Sequence, residues 1–311
     1  FSIKYEGINL LFLKKLFESI DVLVIEELVK KEPLSQFSRR IWILYEWLTQ
    51  KTLNLPDLKE GNYVPLLDGN LQYTIGKGDN SPRHRVRNNL PGTLNFCPLV
   101  SRSEKLEKYI KEDLSEKTTG LVRNVHNDIL LRTSAFLLLK DSKASFNIEG
   151  ETPSNSRATR WGKVIGQAGN RPLSKEELLR LQQIVIENER FINMGFREEG
   201  GFVGEHERTT GEPIPEHISA RWQDLDGLLD GLVKTDSKLE KSEFNTVLTD
   251  TMIAFGFVFI PPFVDGNGRI HRYLIHNILT KMKFTPQGII FPISASILER
   301  IDDYRKVDES Y

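Results

Sequence analysis

The sequence predicts a mainly α-helical protein with a few short β-strands. Many of the 311 residues lie in stretches where apolar side chains recur every three or four positions, which is the spacing of one helix face. One stretch, residues 51–100, is instead rich in Pro, Gly, Asn and Asp, which favours turns and short strands. A second break follows residue 260, where Pro261 and Pro262 stop a long apolar helix ahead of a glycine-rich loop.

The composition is that of an ordinary soluble globular protein. Apolar residues make up 39% and charged residues 27% of the chain, and the formal net charge is −1. This balance predicts no basic surface for nucleic acid and no membrane surface. Cys97 is the single cysteine, so a disulfide within the chain is excluded and a cytoplasmic location is favoured. The sequence leaves open whether further segments lie before Phe1 or after Tyr311.

The first third of the chain predicts helices on either side of the turn-rich stretch. Residues 4–31 predict one or two short helices, and residues 35–49 predict a longer one. Residues 63–75 place an Asp-Gly pair between two apolar runs, which predicts a β-hairpin. A basic cluster comes next, for which we favour a solvated loop over nucleic-acid binding because no aromatic residues are interleaved. Its members are Arg83, His84, Arg85 and Arg87.

The rest of the chain predicts further helices and a second hairpin. The predicted helices are residues 103–117, 120–139, 157–166, 178–188, 224–233, 242–260 and 294–307. The helix 120–139 is expected to lie in the core through Val122, Val125, Ile129, Leu130, Phe136 and Leu137. Residues 200–219 have glycines and prolines at both ends, which predicts a short irregular hairpin.

The glycine-rich loop has the composition of an anion site. Gly266 and Gly268 let backbone N–H groups converge, and the next helix adds the positive end of its dipole. Arg269 and Arg272 are three residues apart on one face of that helix, where they can hold two phosphate groups. Asp265 is a hard oxygen ligand suited to Mg²⁺. These features predict a polyphosphate site; the alternative is that Asp-Gly-Asn-Gly is only a turn.

The loop resembles the signature of the Fic (Fido) family, H-x-F-x-(D/E)-G-N-G-R-x-x-R. The matching residues are Phe263, Asp265, Gly266, Asn267, Gly268, Arg269 and Arg272. The resemblance implies a Fic-type helical bundle that transfers AMP from Mg·ATP to a hydroxyl group of a target protein. In the family a histidine acts as the general base for that hydroxyl, and this chain has Pro261 at the same position. Proline has no basic side-chain nitrogen, so we expect the transfer to be impaired.

The resemblance also implies a role for each loop residue. Asp265 would hold Mg²⁺, and Gly266, Asn267 and Gly268 would cradle the α- and β-phosphates. Arg269 and Arg272 would hold the β- and γ-phosphates. Pro261, Asn267 and Arg269 stand at the catalytic positions, and Phe263 anchors the loop in the core. His271 is also in the loop, but helix geometry turns it about 200° from Arg269, so it should point away from the phosphates.

A second motif lies about a hundred residues earlier. Residues 145–150, with the sequence S-F-N-I-E-G, resemble the family's inhibitory motif (S/T)-x-x-x-E-(G/N). Taken alone, a serine and a glutamate near a helix end are most often only capping residues. The resemblance implies that Glu149 pairs with Arg272 in place of the γ-phosphate, with Ser145 and Gly150 completing the motif. A carboxylate there would satisfy a buried guanidinium and block a triphosphate.

The hairpin at residues 200–219 resembles the family's flap, which lies over the loop and binds the target segment by strand addition. The flap residues are Phe202, Val203, Gly204, His217 and Ile218. The alternative is an ordinary surface hairpin.

We therefore expect an N-terminal helical region with a hairpin-bearing segment at residues 1–140 and a Fic domain at residues 141–311. The expected function is a protein adenylyltransferase that uses ATP and Mg²⁺ and is impaired by Pro261. The alternative is a catalytically silent nucleotide-binding module that binds a partner protein through the flap. The sequence also leaves open a recent lesion at Pro261, the identity of the target protein and of the nucleotide, and a homo-oligomeric state.

Overall fold

The structure is a computed structural model that describes residues 2–112, 114–122, 126–186, 193–207, 209–285 and 289–308. These residues are mainly helical with short strands, which confirms the predicted fold class. The backbone divides into two compact units: Phe1–Glu112 with Ser237–Phe244, and Asp113–Asp236 with Asn245–Tyr311. The predicted domain boundary near residue 140 stays a prediction. Within the described residues, no helix is both long enough and apolar enough to cross a membrane.

The first unit is built around one amphipathic helix, α4, on which α2 and α3 pack. Its elements are α1 (Ser2–Tyr5), α2 (Leu10–Ser19), α3 (Val22–Lys31), α4 (Gln36–Thr49), β1 (Val64–Pro65), β2 (Asp79–Ser81), β3 (Val86–Asn88) and α5 (Glu104–Lys111). Side-chain oxygens of Asn9 and Asp21 accept backbone N–H groups at the starts of α2 and α3, which fixes where these helices begin. Trp42 and Leu44 of α4 are buried in the core of this unit.

The hairpin predicted at residues 63–75 is wrong. Strand β1 pairs with β3 in parallel, and β3 pairs with β2 in antiparallel orientation, so the hairpin of this segment is β2–β3. The physical reason lies in side-chain hydrogen bonds. Asn89 bonds both the N–H and the C=O of Leu67, and Gln72 does the same for Ile8, so the region around the Asp-Gly pair is tied to partners elsewhere in the chain.

The solvated loop predicted for the basic cluster is also wrong for two of its members. Arg83 pairs with Glu46 and Asp57 and lies over the ring of Trp42. His84 is buried, with its Nε2 2.9 Å from a carboxylate oxygen of Glu46. Glu46 comes from α4, so a carboxylate distant in sequence draws both basic side chains inward.

The second unit is centred on the packed pair α11 and α12. Its elements, with α10 shared between the two units, are α6 (Leu114–Val122), α7 (Asn127–Ile148), α8 (Asn155–Ile165), α9 (Lys175–Val185), β4 (Phe202–His206), β5 (Pro213–Ile218), a 3₁₀ turn (Trp222–Asp224), α10 (Leu225–Lys241), α11 (Thr246–Phe259), α12 (Asn267–Lys281), α13 (Ile293–Glu299) and α14 (Ile301–Asp308). Helix α12 also contacts α7, α8, α9 and α13, and most of its side chains are buried. The start of α12 is therefore held from several sides.

The core role predicted for residues 120–139 is wrong for two of its apolar residues. Helix α7 begins at Asn127, and Ile129 and Phe136 are 58% and 68% exposed. The buried residues of α7 instead lie near its C-terminal end, where it packs against α8 and α13. Val125 lies outside the described residues, and so does the side chain of Val122. The part of α7 that enters the core is therefore the part that carries the 145–150 motif.

Candidate functional site

The loop between α11 and α12 is held in one shape by Asn267. Its side-chain amide donates to the carbonyl oxygen of Phe263 at 2.8 Å, and its side-chain oxygen accepts the N–H of Phe263 at 3.1 Å. Phe263 is buried and stacks on Phe196, with ring centroids 5.3 Å apart. Gly266 has a φ of +96°, a left-handed conformation that favours glycine. The loop is thus closed on itself and anchored in the core immediately before α12.

The first turns of α12 place two buried arginines beside this loop. Arg269 and Arg272 are 1% and 3% exposed. Arg269 Nη2 donates to Asp265 Oδ1 at 3.0 Å, and the same oxygen accepts the N–H of Gly266 at 2.5 Å. Arg272 donates to the hydroxyl and carbonyl oxygens of Ser145 at 3.1 and 2.7 Å. Two guanidinium groups therefore converge on the N-terminus of one helix.

The 145–150 motif meets the loop at this point. Arg272 Nη2 donates to Glu149 Oε1 at 2.7 Å, which is the pair that the resemblance implies. A Cβ atom added at Gly268 would lie 2.3 Å from the same carboxylate oxygen, so Glu149 lies directly against the bare backbone of the helix start. Gly150 has a φ of +73° and turns the chain after Glu149. The predicted inhibitory role of this contact stays a prediction.

Two charged residues at the site were missed from the sequence. Glu151 Oε1 lies 2.6 Å from Arg269 Nη1, and its other carboxylate oxygen accepts a hydrogen bond from Arg157. Both guanidinium groups lie over the ring of Phe146, Arg269 at 5.3 Å and Arg157 at 4.4 Å from the ring centroid. No motif of the sequence singles out Glu151 or Arg157. The site as a whole pairs three carboxylates with three guanidiniums.

The hairpin predicted at residues 200–219 is confirmed. Strands β4 and β5 are antiparallel, with Phe202 opposite Ile218, Val203 opposite His217, and a bulge between Val203 and Gly204. His217 Nε2 lies 3.1 Å from the carbonyl oxygen of Phe259 at the C-terminal end of α11, while Ile218 is 74% exposed. Its role as a flap stays a prediction.

A buried arginine ties this hairpin to the loop, and it too was missed from the sequence. The guanidinium of Arg197 donates to four backbone carbonyl oxygens, those of Glu199, Ala220, Ile260 and Pro261. The bond to Pro261 is 2.7 Å long, and the backbone N–H of Arg197 donates to Pro262 at 2.9 Å. Glu199 precedes β4 and Ala220 follows β5, so one side chain joins both ends of the hairpin to the residues that open the loop. Burial lowers the pKa of Arg197 from its ordinary value.

The model of the Fic/DOC family matches residues 172–279. These residues form a Fic/DOC family domain. The match includes the hairpin, Arg197 and the whole loop, and it begins after the segment that carries Glu149 and Glu151. No curated protein shows significant sequence similarity to the chain.

Two solved structures resemble the chain. One is a Fic domain-containing signaling protein from Bacteroides thetaiotaomicron, with 18% identity over 62% of this chain and 79% of that one, at a TM-score of 0.49. The other is a Fic family protein from Desulfovibrio desulfuricans, with 19% identity over 66% of this chain and 64% of that one, at a TM-score of 0.46.

The loop of the Fic/DOC domain has the features that bound phosphate groups require. Gly268 presents bare backbone at the start of α12, and the buried Nε and Nη1 of Arg269 have no hydrogen-bond partner among the described residues. The same described residues contain no group of three or more His, Cys, Asp or Glu side chains that could hold a metal ion. A nucleotide-bound Mg²⁺ takes most of its ligands from phosphates and water, so the half-exposed Asp265 fits it as a single protein ligand.

His271 of the Fic/DOC domain faces away from the loop, as helix geometry predicts. It is fully buried, with Nδ1 2.8 Å from the carbonyl oxygen of Ala254 and Nε2 3.1 Å from the hydroxyl of Tyr304. Burial, with a smaller effect from the charge of Arg272, lowers the pKa of His271 from 6.5 to about 4. Both ring nitrogens are engaged within the core, so this histidine is not placed to take a proton at the loop.

The buried His271 predicts a loss of stability in mild acid. Its pKa in the folded chain is about 4, below the ordinary 6.5, so the unfolded chain binds more protons between these values. The free energy of unfolding should therefore fall as pH drops from 6.5 towards 4, by up to about 3 kcal/mol from this group. Denaturant unfolding of the wild type and of His271→Asn at pH 7.5 and 4.5 measures this difference.

His126→Asn is the matched control, because His126 is exposed at the start of α7 and asparagine also caps a helix well. The control should keep the pH dependence of the wild type, whereas His271→Asn should reduce it. Equal pH dependence in His271→Asn and the wild type would contradict the neutral, buried state of His271.

Proposed function

We propose that the Fic/DOC domain binds ATP with Mg²⁺ and transfers the AMP group to a hydroxyl of a target protein. The observation that carries this proposal is the pair of buried arginines on the first turns of α12, Arg269 and Arg272, beside the bare backbone of Gly268. Buried guanidiniums need anionic partners, and in this structure carboxylates fill that place. Phosphate groups have the charge and geometry to replace them.

Each loop residue has a part in this function. Asp265 would be the protein ligand of Mg²⁺, which neutralises phosphate charge when bound. The backbone at Gly266, Asn267 and Gly268 would cradle the phosphates, and the side chain of Asn267 keeps the loop closed. Arg269 and Arg272 would hold the β- and γ-phosphates. In the transfer, the target hydroxyl oxygen bonds to the α-phosphorus, the bond from that phosphorus to the bridging oxygen breaks, and pyrophosphate leaves.

The proton of the attacking hydroxyl has no acceptor at residue 261. Pro261 stands where the Fic signature has its histidine, and its side chain carries no nitrogen that can take a proton. Loss of a general base costs about 10²–10⁴ in rate, so the transfer proposed for the natural chain is slow. Glu149 slows it further, because its carboxylate must leave Arg272 before a γ-phosphate can bind.

The same observation supports the alternative, a catalytically silent nucleotide-binding module. A domain that keeps its arginines and lacks its base can bind ATP without using it. Such a module would engage a partner protein through β5, where Ile214 and Ile218 are 54% and 74% exposed. Exposed apolar side chains next to a strand edge suit an extended peptide.

Isotope labelling tests the reaction. The double variant Glu149→Gly, Pro261→His is incubated with Mg²⁺ and α-labelled ATP, alone and with a cell lysate, and the purified variant alone is also incubated with γ-labelled ATP, because the kinases of a lysate transfer the γ-phosphate themselves. Label from the α-phosphate should remain on protein, and label from the γ-phosphate should not. Adding Asp265→Asn should abolish the labelling because it removes the Mg²⁺ ligand. ATP binding in calorimetry with no label on protein would favour the silent module, and label from the γ-phosphate would exclude AMP transfer.

A further inference from the structure

We propose that Glu151 is a second inhibitory carboxylate, which occupies Arg269 while Glu149 occupies Arg272. This inference rests on the proposed function, because it concerns access of phosphate groups to the same two arginines. Glu151 Oε1 lies 2.6 Å from Arg269 Nη1, and Glu149 Oε1 lies 2.7 Å from Arg272 Nη2. The two arginines that would bind the β- and γ-phosphates are therefore each paired with a carboxylate of one short segment.

Arg269 is buried, and a carboxylate lies beside each of its two terminal nitrogens. The side chain is 1% exposed, its Nη2 donates to Asp265, and its Nη1 lies 2.6 Å from Glu151 Oε1 as an ion pair without the geometry of a hydrogen bond. A phosphate oxygen that approached Nη1 would meet the carboxylate of Glu151 at close range, and two anions in contact repel each other. The carboxylate must leave Nη1 before a phosphate group can bind there.

Arg157 can stay paired with Glu151 after Glu151 leaves Arg269. It already donates to the second carboxylate oxygen of Glu151, and its own Nη2 is fixed by the carbonyl oxygen of Val185 at 3.0 Å. When a phosphate takes Arg269, Glu151 can keep its pair with Arg157 and is not left as an unpaired anion. The release of Arg269 is therefore reversible at small cost, and Arg157 acts as the receiving cation.

The backbone couples the two carboxylates. Glu149 and Glu151 flank Gly150, whose φ of +73° lets neighbouring side chains face different arginines. Helix α7 ends at Ile148, so both glutamates lie on a short connection just after a helix end. Displacement of this connection would release Arg269 and Arg272 together.

The experiment measures the dissociation constants of Mg·ATP and of AMP by calorimetry for four proteins: wild type, Glu149→Gly, Glu151→Gln and the double variant. Glu151→Gln keeps the shape of the side chain and removes its charge. We expect it to tighten ATP binding about 10-fold, the effect of one charge-assisted contact, and the double variant to bind more tightly than either single variant. Affinity for AMP should stay unchanged, because AMP lacks the β- and γ-phosphates.

Glu177→Gln is the matched control. Glu177 is also a glutamate of this unit paired with an arginine, since Arg180 Nη2 lies 2.6 Å from its carboxylate, and both residues of that pair belong to α9. Its replacement should leave ATP affinity at the wild-type value.

Several results would overturn the inference. ATP affinity that is unchanged or weaker in Glu151→Gln, or an equal gain in AMP affinity, would mean that Glu151 does not compete with the β- and γ-phosphates. If Glu149→Gly binds ATP and Glu151→Gln shows no gain, the second inhibitory carboxylate is wrong, while the ATP binding that the proposed function requires is retained. If none of the four folded proteins binds ATP, the proposed function is wrong, and so is the inference that rests on it.

Discussion

Replacing Pro261 with histidine, in a chain that also carries Glu149→Gly, is expected to raise the rate of AMP transfer by about 10²–10⁴-fold. The imidazole supplies the missing acceptor for the hydroxyl proton, while Glu149→Gly removes the carboxylate that faces Arg272. The measurement is the initial rate of α-phosphate label appearing on protein, compared between the Glu149→Gly chain with Pro261 retained and the same chain with histidine.

The backbone at the loop entrance is compatible with this replacement. Ile260 precedes Pro261 and has φ −79° and ψ −26°, a helical conformation that a following proline disfavours. Arg197 bonds the carbonyl oxygen of residue 261, which histidine retains. Pro261 is buried, and its described hydrogen bond is made by its carbonyl oxygen and not by its ring, so we expect histidine at this position to keep the contact with Arg197.

Pro262→His is the matched control for the added imidazole. It places the same chemical group one residue along the loop, where it should not restore the rate. If the Glu149→Gly chain with Pro261 retained is labelled at a rate comparable to the chain with histidine, another group takes the proton. The mechanism proposed for residue 261 is then wrong. Labelling in neither chain would remove the support for AMP transfer and favour the nucleotide-binding module.

The loop could be predicted from the sequence because its determinants are contiguous. The glycines, Asn267 and both arginines lie within a few residues of each other, so local geometry alone brings them together. The partners of Glu151 could not be predicted, because a lone glutamate carries no spacing signal and Arg269 is distant in sequence. The role of Arg197 could not be predicted for a different reason: its hydrogen-bond acceptors are backbone carbonyl oxygens, which every residue has.

The same limit explains the errors in the first unit. The hairpin prediction at residues 63–75 rests on local signals, whereas hydrogen bonds tie that region to Asn89, just after β3, and to Ile8, just before α2. The solvated loop is predicted for the basic cluster because no aromatic residues are interleaved with it, whereas Glu46 of α4 holds His84 inside. Local patterns identify helices and turns, while long-range polar pairs decide which of them are buried.

Arg197→Met is expected to loosen the hairpin and the loop entrance together, with a loss of about 3 kcal/mol or more in local stability. Several carbonyl oxygens would lose their donor, and a buried acceptor left unsatisfied costs about 1–3 kcal/mol. The measurement is amide hydrogen exchange followed by mass spectrometry. Peptides covering residues 196–220 and 260–268 should exchange about 10²-fold faster than in the wild type, because about 2.7 kcal/mol corresponds to that factor.

Two further variants separate the hydrogen bonds of Arg197 from its charge. Arg197→Lys keeps the charge but has fewer hydrogen-bond donors. It should recover only part of the protection from amide exchange, since an ammonium cannot reproduce the planar fork of a guanidinium. Arg221→Met removes an exposed arginine that pairs with Asp224 close to the end of the hairpin. It should change amide exchange little, because surface ion pairs contribute about 0–1 kcal/mol. Full protection in Arg197→Lys would mean that charge, and not the set of carbonyl bonds, ties the hairpin to the loop. Unchanged exchange in Arg197→Met would mean that the hairpin and the loop are held by other contacts, such as that of His217 with Phe259.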